Sequence, residues 1–285
     1  MSSRSNLLIT GAAGMLGRTL LRRLAHRDPT GSDRRSLDLA DAVAVDRHLA
    51  ALGPAIVINC AGMTAVDRCE SEPDVAFAGN AVTAANLAHA CRRNGGRLLH
   101  ISTDYVFPGD LGRPSHEYDP PAPRTIYGAS KLAGERAVRE ACPDHLILRT
   151  AWLYGPGGPS FLHTMFRLGA QSGAPLPMVD DQIGNPTSTD AVADAIDSLL
   201  DVPISGTVHL SCDGETSWFG FAGEIFALWN LPRPLIPCTS ADFPRPAPRP
   251  KGSRLDKMAL RLHGLPPMPD WRTALHHFRR DHPDG

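Results

Sequence analysis

Tyr127 and Lys131 form the pair in this sequence whose residue types and spacing point most directly to chemistry. They stand four residues apart in the run Y-G-A-S-K, so a helix would place both side chains on one face. A nearby ammonium favours the phenolate and would lower the pKa of Tyr127, which suits a general acid for a carbonyl oxygen that accepts hydride. The Thr103 hydroxyl, at the end of a predicted strand, could donate to the same oxygen. By itself, Y-x-x-x-K is more often a surface pair without a role.

A glycine-rich turn between the first predicted strand and the first predicted helix is the second candidate site. The pattern G-x-x-G-x-x-G joins Gly11, Gly14 and Gly17, after an apolar run at residues 7–10 and before an amphipathic stretch at residues 15–26. Such glycines let the backbone approach a pyrophosphate, which then lies on the positive N-terminus of the helix. The alternative is an ordinary glycine-rich turn, but the placement favours dinucleotide binding.

The residues after the second predicted strand, which ends near Ser32, bear on which dinucleotide is bound. An acidic residue such as Asp33 would hold the ribose hydroxyls of NAD, whereas arginine accommodates the extra phosphate of NADP. Arg34 and Arg35 follow directly, and two adjacent guanidinium groups favour NADPH, or tolerance of both NADPH and NADH. The alternative is a solvated run of charges.

Strands and helices alternate along the first part of the chain. Apolar runs predict strands at residues 55–60, 97–102 and 146–149, and periodic apolar positions predict helices at residues 75–93 and 127–141. This alternation predicts the α/β class, with a Rossmann-type, doubly wound parallel sheet. We expect residues 1–150 to form a dinucleotide-binding domain, to which later segments return.

Residues 151–285 differ in character and are expected mainly to bind substrate. Helices are predicted at residues 161–171, 189–200 and 217–229. Seven prolines lie between residues 232 and 250, which predicts an extended segment along the surface, because proline resists helix formation. Trp218, Phe219, Arg249 and Arg254 supply flat and basic groups of the kind that a nucleotide diphosphate needs.

Composition excludes several other classes of function. The chain has 29 Lys and Arg against 30 Asp and Glu, for a formal net charge of −1, so no basic excess predicts nucleic-acid binding. No apolar run approaches the roughly 18 residues of a membrane span, and the apolar stretch near the N-terminus is too short for a signal peptide. Six widely spaced cysteines without a C-x-x-C pair predict reduced thiols in a cytoplasmic protein and do not favour zinc.

In the motifs described above, the sequence resembles the extended short-chain dehydrogenase/reductases, and within them the dTDP-4-dehydrorhamnose reductase family. The resemblance runs from about residue 7 to residue 275. The stretches that carry it, beside the glycine pattern, are N-C-A-G-M-T-A-V-D at residues 59–67, E-S-E-P at 70–73, H-I-S-T-D-Y-V-F at 100–107, Y-G-A-S-K-L-A-G-E at 127–135, R-T-A-W-L-Y at 149–154, D-Q-I-G-N-P-T at 181–187 and R-P-K-G-S-R-L at 249–255.

The resemblance implies a role for each matching residue. The catalytic set would be Thr103, Tyr127 and Lys131, of which Tyr127 and Lys131 would also contact the cofactor. The other cofactor contacts that it implies would be Gly14, Met15, Leu16, Asp38, Leu39, Ala61, Gly62, Met63 and Thr64. They add to Gly11 and Gly17 of the glycine pattern and to Arg34 and Arg35, which the residues themselves predict.

The substrate contacts implied by the resemblance are Thr103, Asp104 and Trp152, with Arg254 as a phosphate ligand because guanidinium suits bidentate phosphate contact. Simpler interpretations remain open, namely a turn cap for Asp104, a core aromatic for Trp152 and a solvated charge for Arg254. Some family members bind magnesium through glutamates at a dimer interface. Here the corresponding positions hold Arg18 or Thr19 and Thr189 or Asp190, so no metal is expected, and a homodimer is only a possible partner state.

The resulting hypothesis is NAD(P)H-dependent reduction of the 4-keto group of a nucleotide-linked 6-deoxyhexose, with dTDP-4-dehydro-L-rhamnose as the expected substrate. One alternative is a sister reductase that makes another deoxysugar. A second is a non-catalytic subunit, since a regulatory subunit of methionine adenosyltransferase shares the fold and much of the pattern. The intact set of Thr103, Tyr127 and Lys131 favours an enzyme, although fold analogy alone does not settle function.

Overall fold

The computed structural model describes residues 6–53, 55–171 and 173–283. Its central element is a six-stranded parallel sheet. Its strand order is β10-β5-β4-β3-β1-β2. The bounds of these strands are β1 Asn6–Thr10, β2 Thr30–Ser32, β3 Ala55–Asn59, β4 Arg97–Thr103, β5 His145–Thr150 and β10 Gly206–His209. The order reverses beside β1, and doubly wound sheets bind ligands at such a switch point, outside the carboxyl ends of the strands. The predicted fold class is confirmed.

The short apolar strands are buried on both faces, as in other parallel sheets. Along β1, Leu7 and Ile9 pack into one hydrophobic cluster, whereas Leu8 packs into a second cluster on the opposite face. Successive side chains of a strand point to opposite faces, so this division follows directly from the apolar run. Helices therefore cover both sides of the sheet.

The helices agree with the sequence prediction in their main bounds. Their bounds are α1 Met15–Arg23, α2 Ala42–Leu52, α3 Val66–Ser71, α4 Pro73–Phe77, α5 Thr83–Arg93, α6 Ile126–Ala141, α7 Phe161–Gly169, α8 Thr189–Leu200, α9 Trp218–Trp229, α10 Met258–Leu262 and α11 Trp271–Asp281.

Several helical details differ from the prediction. The helix predicted at 15–26 ends at Arg23 and is followed by a 3₁₀ turn at Ala25–Arg27. The helix predicted at 75–93 begins at Pro73 and is interrupted by one turn of π-helix at Ala78–Val82. Four helices, α2, α3, α10 and α11, lacked a prediction, although Asp41 caps α2 by accepting hydrogen bonds from the backbone of residues 43 and 44.

Segments beyond residue 150 pack against the sheet and also form small sheets of their own. Strand β10 joins the edge of the sheet beside β5, and α8 packs against α1. The remaining strands are β6 Leu153–Tyr154, β7 Leu176–Val179, β8 Ile183–Gly184, β9 Thr187–Ser188, β11 Thr216–Ser217, β12 Leu235–Cys238 and β13 Gly252–Ser253. In the proline-rich region, β12 pairs with β7 and most other residues are exposed, so the segment lies on the surface as predicted. It is extended only in part, because a 3₁₀ turn lies at Ser240–Asp242.

A buried ion pair joins α6 to two strands of the sheet. The Glu135 carboxylate accepts hydrogen bonds from Arg149 Nε at 2.8 Å and Arg149 Nη2 at 2.7 Å, and from the Ser102 hydroxyl at 2.6 Å. Arg139, which is 37% exposed, contacts the same carboxylate at 3.1 Å. Despite its burial, these partners hold the pKa of Glu135 below its usual value. The carboxylate is therefore charged and fully paired.

Removing the Arg149 guanidinium should destabilise the folded protein. Arg149→Met is expected to lower the free energy of unfolding by about 3–5 kcal/mol, because Glu135 would stay buried without its main partner. The double variant Glu135→Leu, Arg149→Met should lose less, since no charge is left unpaired. Chemical denaturation followed by circular dichroism measures both changes. Arg139→Met is the matched control, with an expected cost below about 1 kcal/mol; an Arg149→Met variant as stable as the parent would contradict the prediction.

Candidate active site

Thr103, Tyr127 and Lys131 lie together at the carboxyl end of β4. Thr103 is the last residue of that strand, and Tyr127 and Lys131 lie one turn apart near the start of α6. Thr125 caps α6 by accepting a hydrogen bond of 3.0 Å from the Gly128 nitrogen, which fixes where the helix begins. Lys131 Nζ donates to the Ile101 carbonyl of β4 at 2.6 Å. The structure thus brings the three side chains to one site.

Burial dominates the electrostatics of this group. It raises the pKa of Tyr127, and a hydrogen bond with the Thr103 hydroxyl opposes the rise only in part. Burial also lowers the pKa of Lys131 to about 8, with the Glu135 carboxylate acting in the opposite direction. The expectation that Lys131 lowers the pKa of Tyr127 is therefore wrong in this structure. Tyr127 holds its proton at neutral pH, as a general acid must.

Asp104, the next residue after Thr103, has a carboxylate buried beside the same group. Its Oδ1 accepts a hydrogen bond of 2.9 Å from the Thr103 hydroxyl. Burial raises the pKa of Asp104 to about 6, although hydrogen bonds with the Ser253 and Thr103 hydroxyls oppose the rise. Within the described residues Oδ2 is buried without a partner, so it can accept a hydrogen bond from a ligand.

Asn80, in the π-helical turn, is a site residue that sequence reasoning missed. Its amide accepts from the Met63 nitrogen at 2.8 Å and donates to the Met63 carbonyl at 3.1 Å. It also donates to the Ser130 hydroxyl of α6 at 2.9 Å. Asn80 therefore ties the loop after β3 to the helix that carries Tyr127 and Lys131. The only feature of the sequence that could have indicated this role is an asparagine within an apolar helical stretch.

A second missed feature is a chain of polar side chains across the sheet. The Thr10 hydroxyl donates to Asn59 Oδ1 at 2.8 Å, and the Ala61 nitrogen donates to the same oxygen at 3.0 Å. Asn59 Nδ2 then donates to His100 Nδ1 at 3.0 Å. Burial holds the pKa of His100 well below its usual value, so the ring is neutral. These bonds fix the carboxyl ends of β1, β3 and β4 relative to one another.

The glycine-rich turn adopts the close approach that its pattern predicts. Gly11 has a φ of +68°, and a Cβ there would lie 2.7 Å from the Ala61 nitrogen, so only glycine fits. Gly14 is the N-cap of α1 and offers no side-chain hydrogen bond to the first turn. The backbone N–H groups at this helix N-terminus therefore remain available to an anion.

A cavity of about 300 Å³ opens beside this turn, and we call it the glycine-turn cavity. Of the predicted cofactor residues, those that line it are Gly11, Gly14, Arg34, Asp38, Leu39, Ala61 and Gly62. The predicted residues that lie outside its lining are Met15, Leu16, Gly17, Arg35, Met63, Thr64, Tyr127 and Lys131. The Asp33 carboxylate lies at the cavity but accepts hydrogen bonds from the nitrogens of Arg35 and Ser36, and so caps its own turn.

A larger cavity of about 500 Å³ lies between the sheet and the proline-rich segment, and we call it the aromatic cavity. Its aromatic lining consists of Tyr105, Trp152, Phe161, Trp218 and Phe243, and its basic lining of Arg245 and Arg249. The centroid of the Tyr105 ring lies 5.3 Å from that of the Tyr127 ring, so one wall of the cavity packs directly against Tyr127.

The structure does not bring Arg254 to the aromatic cavity. Its guanidinium lies 3.4 Å from the Glu215 carboxylate instead. Arg249, five residues earlier in the same irregular segment, lines the cavity and donates to the Asp67 carboxylate at 2.9 Å. The positive charge at this cavity therefore comes from Arg249 and Arg245, and the sequence-based choice of Arg254 as phosphate ligand has no geometric support.

At the positions considered for magnesium, Thr19 and Thr189 share a hydrogen bond of 2.9 Å, and Asp190 pairs with Arg22. Among the described residues, no group of three or more His, Cys, Asp or Glu side chains could hold a metal ion. The same part of the chain contains no helix that combines the length and the apolarity needed to span a membrane.

Comparison with known proteins assigns the chain to a family. A family model described as RmlD substrate binding domain matches residues 5–282. A dTDP-4-dehydrorhamnose reductase of Streptomyces griseus is 47% identical, over 95% of this chain and 92% of the relative. A probable dTDP-4,6-dihydroxy-2-methyloxan-3-one 4-ketoreductase of Streptomyces antibioticus is 46% identical, over 94% of this chain and 92% of the relative.

Solved structures give the same result. The crystal structure of a dTDP-4-dehydrorhamnose reductase from Bacillus anthracis, in complex with NADP, superposes with a TM-score of 0.95 at 39% identity and covers 97% of this chain and 99% of that one. A dTDP-4-dehydrorhamnose reductase from Clostridium acetobutylicum superposes with a TM-score of 0.94 at 40% identity and covers 96% and 98%. The chain belongs to the dTDP-4-dehydrorhamnose reductase family of the extended short-chain dehydrogenase/reductases.

Proposed function

We propose that this chain catalyses the NADPH-dependent reduction of the C4 keto group of dTDP-4-dehydro-L-rhamnose to give dTDP-L-rhamnose. The observation that carries the proposal is the joint position of Thr103, Tyr127 and Lys131 at the end of β4. Lys131 lies close to Gly62 of the glycine-turn cavity, and Tyr127 packs on Tyr105 of the aromatic cavity. The relatives named as dTDP-4-dehydrorhamnose reductases match nearly the whole chain, and this supports the same reaction here.

Tyr127 is the proposed acid. When bound, the reduced nicotinamide supplies the hydride to C4, and the Tyr127 hydroxyl gives its proton to the C4 oxygen. The raised pKa of Tyr127 keeps that proton in place at neutral pH. Thr103 would donate a second hydrogen bond to the same oxygen and position it. In that state the Thr103 proton turns away from Asp104, to which it now points.

The glycine-turn cavity fits a dinucleotide. The uncapped start of α1 offers N–H groups to a pyrophosphate, and the Gly11 backbone leaves no side chain in the way. Arg34 lies at the cavity, whereas the Asp33 carboxylate is engaged with its own turn. We therefore assign NADPH as the preferred cofactor, with Arg34 as the ligand of its 2′-phosphate. NADH would lack this contact.

The aromatic cavity fits a nucleotide-linked sugar. Its flat rings can pack against a base and a pyranose ring, and Arg245 and Arg249 can pair with a diphosphate. Trp152 lines this cavity and Asp104 lies beside Thr103, and we propose that both contact the sugar. Cofactor binding would thus depend mainly on residues 1–150 and substrate binding mainly on residues 151–285.

A sister reductase is the second candidate function. The Streptomyces antibioticus relative carries a different printed substrate and is almost as similar to this chain as the Streptomyces griseus reductase, at 46% against 47% identity. Both names describe reduction of a dTDP-linked keto sugar. The two candidates differ in the sugar alone, so substrate preference separates them.

We also propose a cytoplasmic location, because all six cysteines are free and thiols persist in reducing compartments. A homodimer remains a proposal that comes from the family resemblance. Light scattering of the purified chain measures the mass of the assembly directly.

The reaction is tested by oxidation of NADPH with a panel of dTDP-, GDP- and UDP-linked 4-keto sugars. We expect dTDP-4-dehydro-L-rhamnose to give the highest kcat/KM, because it is the sugar named by the relatives on which the proposal rests. A higher kcat/KM with another dTDP-linked keto sugar would identify the sister reductase. Absence of turnover, together with absence of dTDP binding in calorimetry, would refute the enzyme and favour a non-catalytic subunit.

Tyr127→Phe should abolish most of the turnover. We expect kcat to fall by about 100-fold or more, because the variant keeps the ring but lacks the proton that the C4 oxygen needs. Binding of NADPH, followed by fluorescence, should stay near the parent value. Tyr105→Phe is the matched control, since Tyr105 packs against Tyr127 but has no assigned proton. Near-normal turnover by Tyr127→Phe would remove Tyr127 from the role.

Arg34 and Arg35 should differ in their effect on cofactor preference. Arg34→Ala is expected to shift the ratio of kcat/KM for NADPH and NADH toward NADH by about 10- to 100-fold, the effect of one charge-assisted hydrogen bond. Arg35→Ala, outside the cavity lining, serves as the control and should change the ratio by less than about threefold. An unchanged ratio in Arg34→Ala would mean that the guanidinium is only a surface charge.

A further inference from the structure

Trp152 adopts a backbone conformation that aromatic residues rarely occupy. Its φ is +46°, in the left-handed region, which costs free energy for a residue with a Cβ and persists only where the surroundings determine it. The residue lies between β5 and β6, at the carboxyl end of the central sheet. Its carbonyl accepts a hydrogen bond of 3.1 Å from the Thr187 nitrogen. Such strain at a ligand-binding edge points to a functional orientation of the side chain.

The indole of Trp152 is confined by Trp218 and Gly184. The rings of Trp152 and Trp218 are stacked, with centroids 3.4 Å apart and planes within 8°. Gly184 packs so closely against the same indole that a Cβ there would lie 2.4 Å from Trp152 Cε2. Any larger residue at position 184 would displace the ring. The plane of Trp152 is therefore set by its neighbours.

Trp218 is itself held in place. It is the first residue of α9, which Ser217 caps by accepting a hydrogen bond of 3.0 Å from the Gly220 nitrogen. Trp218 Nε1 donates to Gln182 Oε1 at 3.2 Å, and the Phe161 ring lies 4.4 Å from the Trp218 ring. The helix start, the amide and the second aromatic ring thus fix one orientation of Trp218.

We propose that Trp218 is a positioning residue for the reaction and holds the Trp152 indole in the orientation that contacts the sugar nucleotide. The proposal rests on the proposed function. Both indoles line the aromatic cavity together with Tyr105, whose ring packs against Tyr127. A side chain that is already immobilised loses less conformational entropy when the substrate binds, so the substrate binds more tightly.

Kinetics of variants on α9 test this role. Trp218→Leu should raise KM for the nucleotide sugar by about five- to tenfold, the effect of one lost aromatic pair, while kcat and the Kd of NADPH change by less than about twofold. Trp218→Phe, which retains a flat ring, should recover most of the affinity. The matched control is Trp229→Leu at the other end of α9, where the ring packs on Phe166 and Phe278 outside the cavity lining; it should lower Tm without a change in KM.

Circular dichroism tests the stacking independently of turnover. Two indoles stacked face to face should give an exciton couplet, which Trp152→Leu and Trp218→Leu should each remove and Trp229→Leu should retain. Gly184→Ala should alter the couplet and raise KM together, because the added methyl displaces the Trp152 ring. Loss of the couplet in Trp218→Leu with an unchanged KM would overturn the positioning role.

If the parent shows no couplet, the kinetics decide, and an unchanged KM in Trp218→Leu overturns the positioning role. Failure of the proposed function gives a different result, since the couplet would persist in a parent that neither reduces nor binds any sugar nucleotide.

Discussion

The placement of the candidate catalytic residues depends chiefly on one buried carboxylate, that of Glu135. It lies four residues after Lys131 on the same helix face, and it pairs with Arg149 of β5 while accepting a hydrogen bond from Ser102 of β4. Ser102 directly precedes Thr103. Together with the bond from Lys131 to the Ile101 carbonyl, this carboxylate sets the rotation of α6 relative to both strands, and a small rotation would carry Tyr127 away from the end of β4. A buried ion pair of this kind adds little net stability, because the desolvation of both charges offsets their attraction.

The loop after β3 connects this catalytic group to the glycine-rich turn. Gly11 approaches its start so closely that the two backbones are in contact at Ala61, and Asn80 holds the loop at Met63 while bonding to α6 through Ser130. The candidate cofactor-binding residues and the candidate catalytic residues are thus fixed to the same short segment. The polar groups that make these bonds are buried, so each of them needs a hydrogen-bond partner. Together the bonds favour this one arrangement of the loop.

These contacts explain which parts of the site could be predicted. The spacing of Tyr127 and Lys131 and the strand–turn–helix around Gly11 are local, so the sequence pattern predicts them directly. The π-helical turn at Asn80 was missed because its residues fit an ordinary helix, and only the long-range bond to Met63 gives the extra residue a function. In irregular segments, the direction in which a side chain points depends on partners that are distant in the sequence. Arg254, for example, lies beside Glu215 and not in the lining of the aromatic cavity. Spacing in the sequence holds no information on such partners.

Burial also shifts the pKa values of the candidate catalytic pair, Tyr127 and Lys131. Desolvation disfavours the charged form of any group, so it raises the pKa of Tyr127 and lowers that of Lys131 at the same time. The phenol therefore keeps its proton at neutral pH, as a general acid must, although the raised pKa also makes it a weaker acid than an exposed tyrosine. Glu135 opposes the effect at Lys131 without reaching Tyr127. One carboxylate thus positions the pair and keeps the lysine closer to its charged form, while the tyrosine retains its proton.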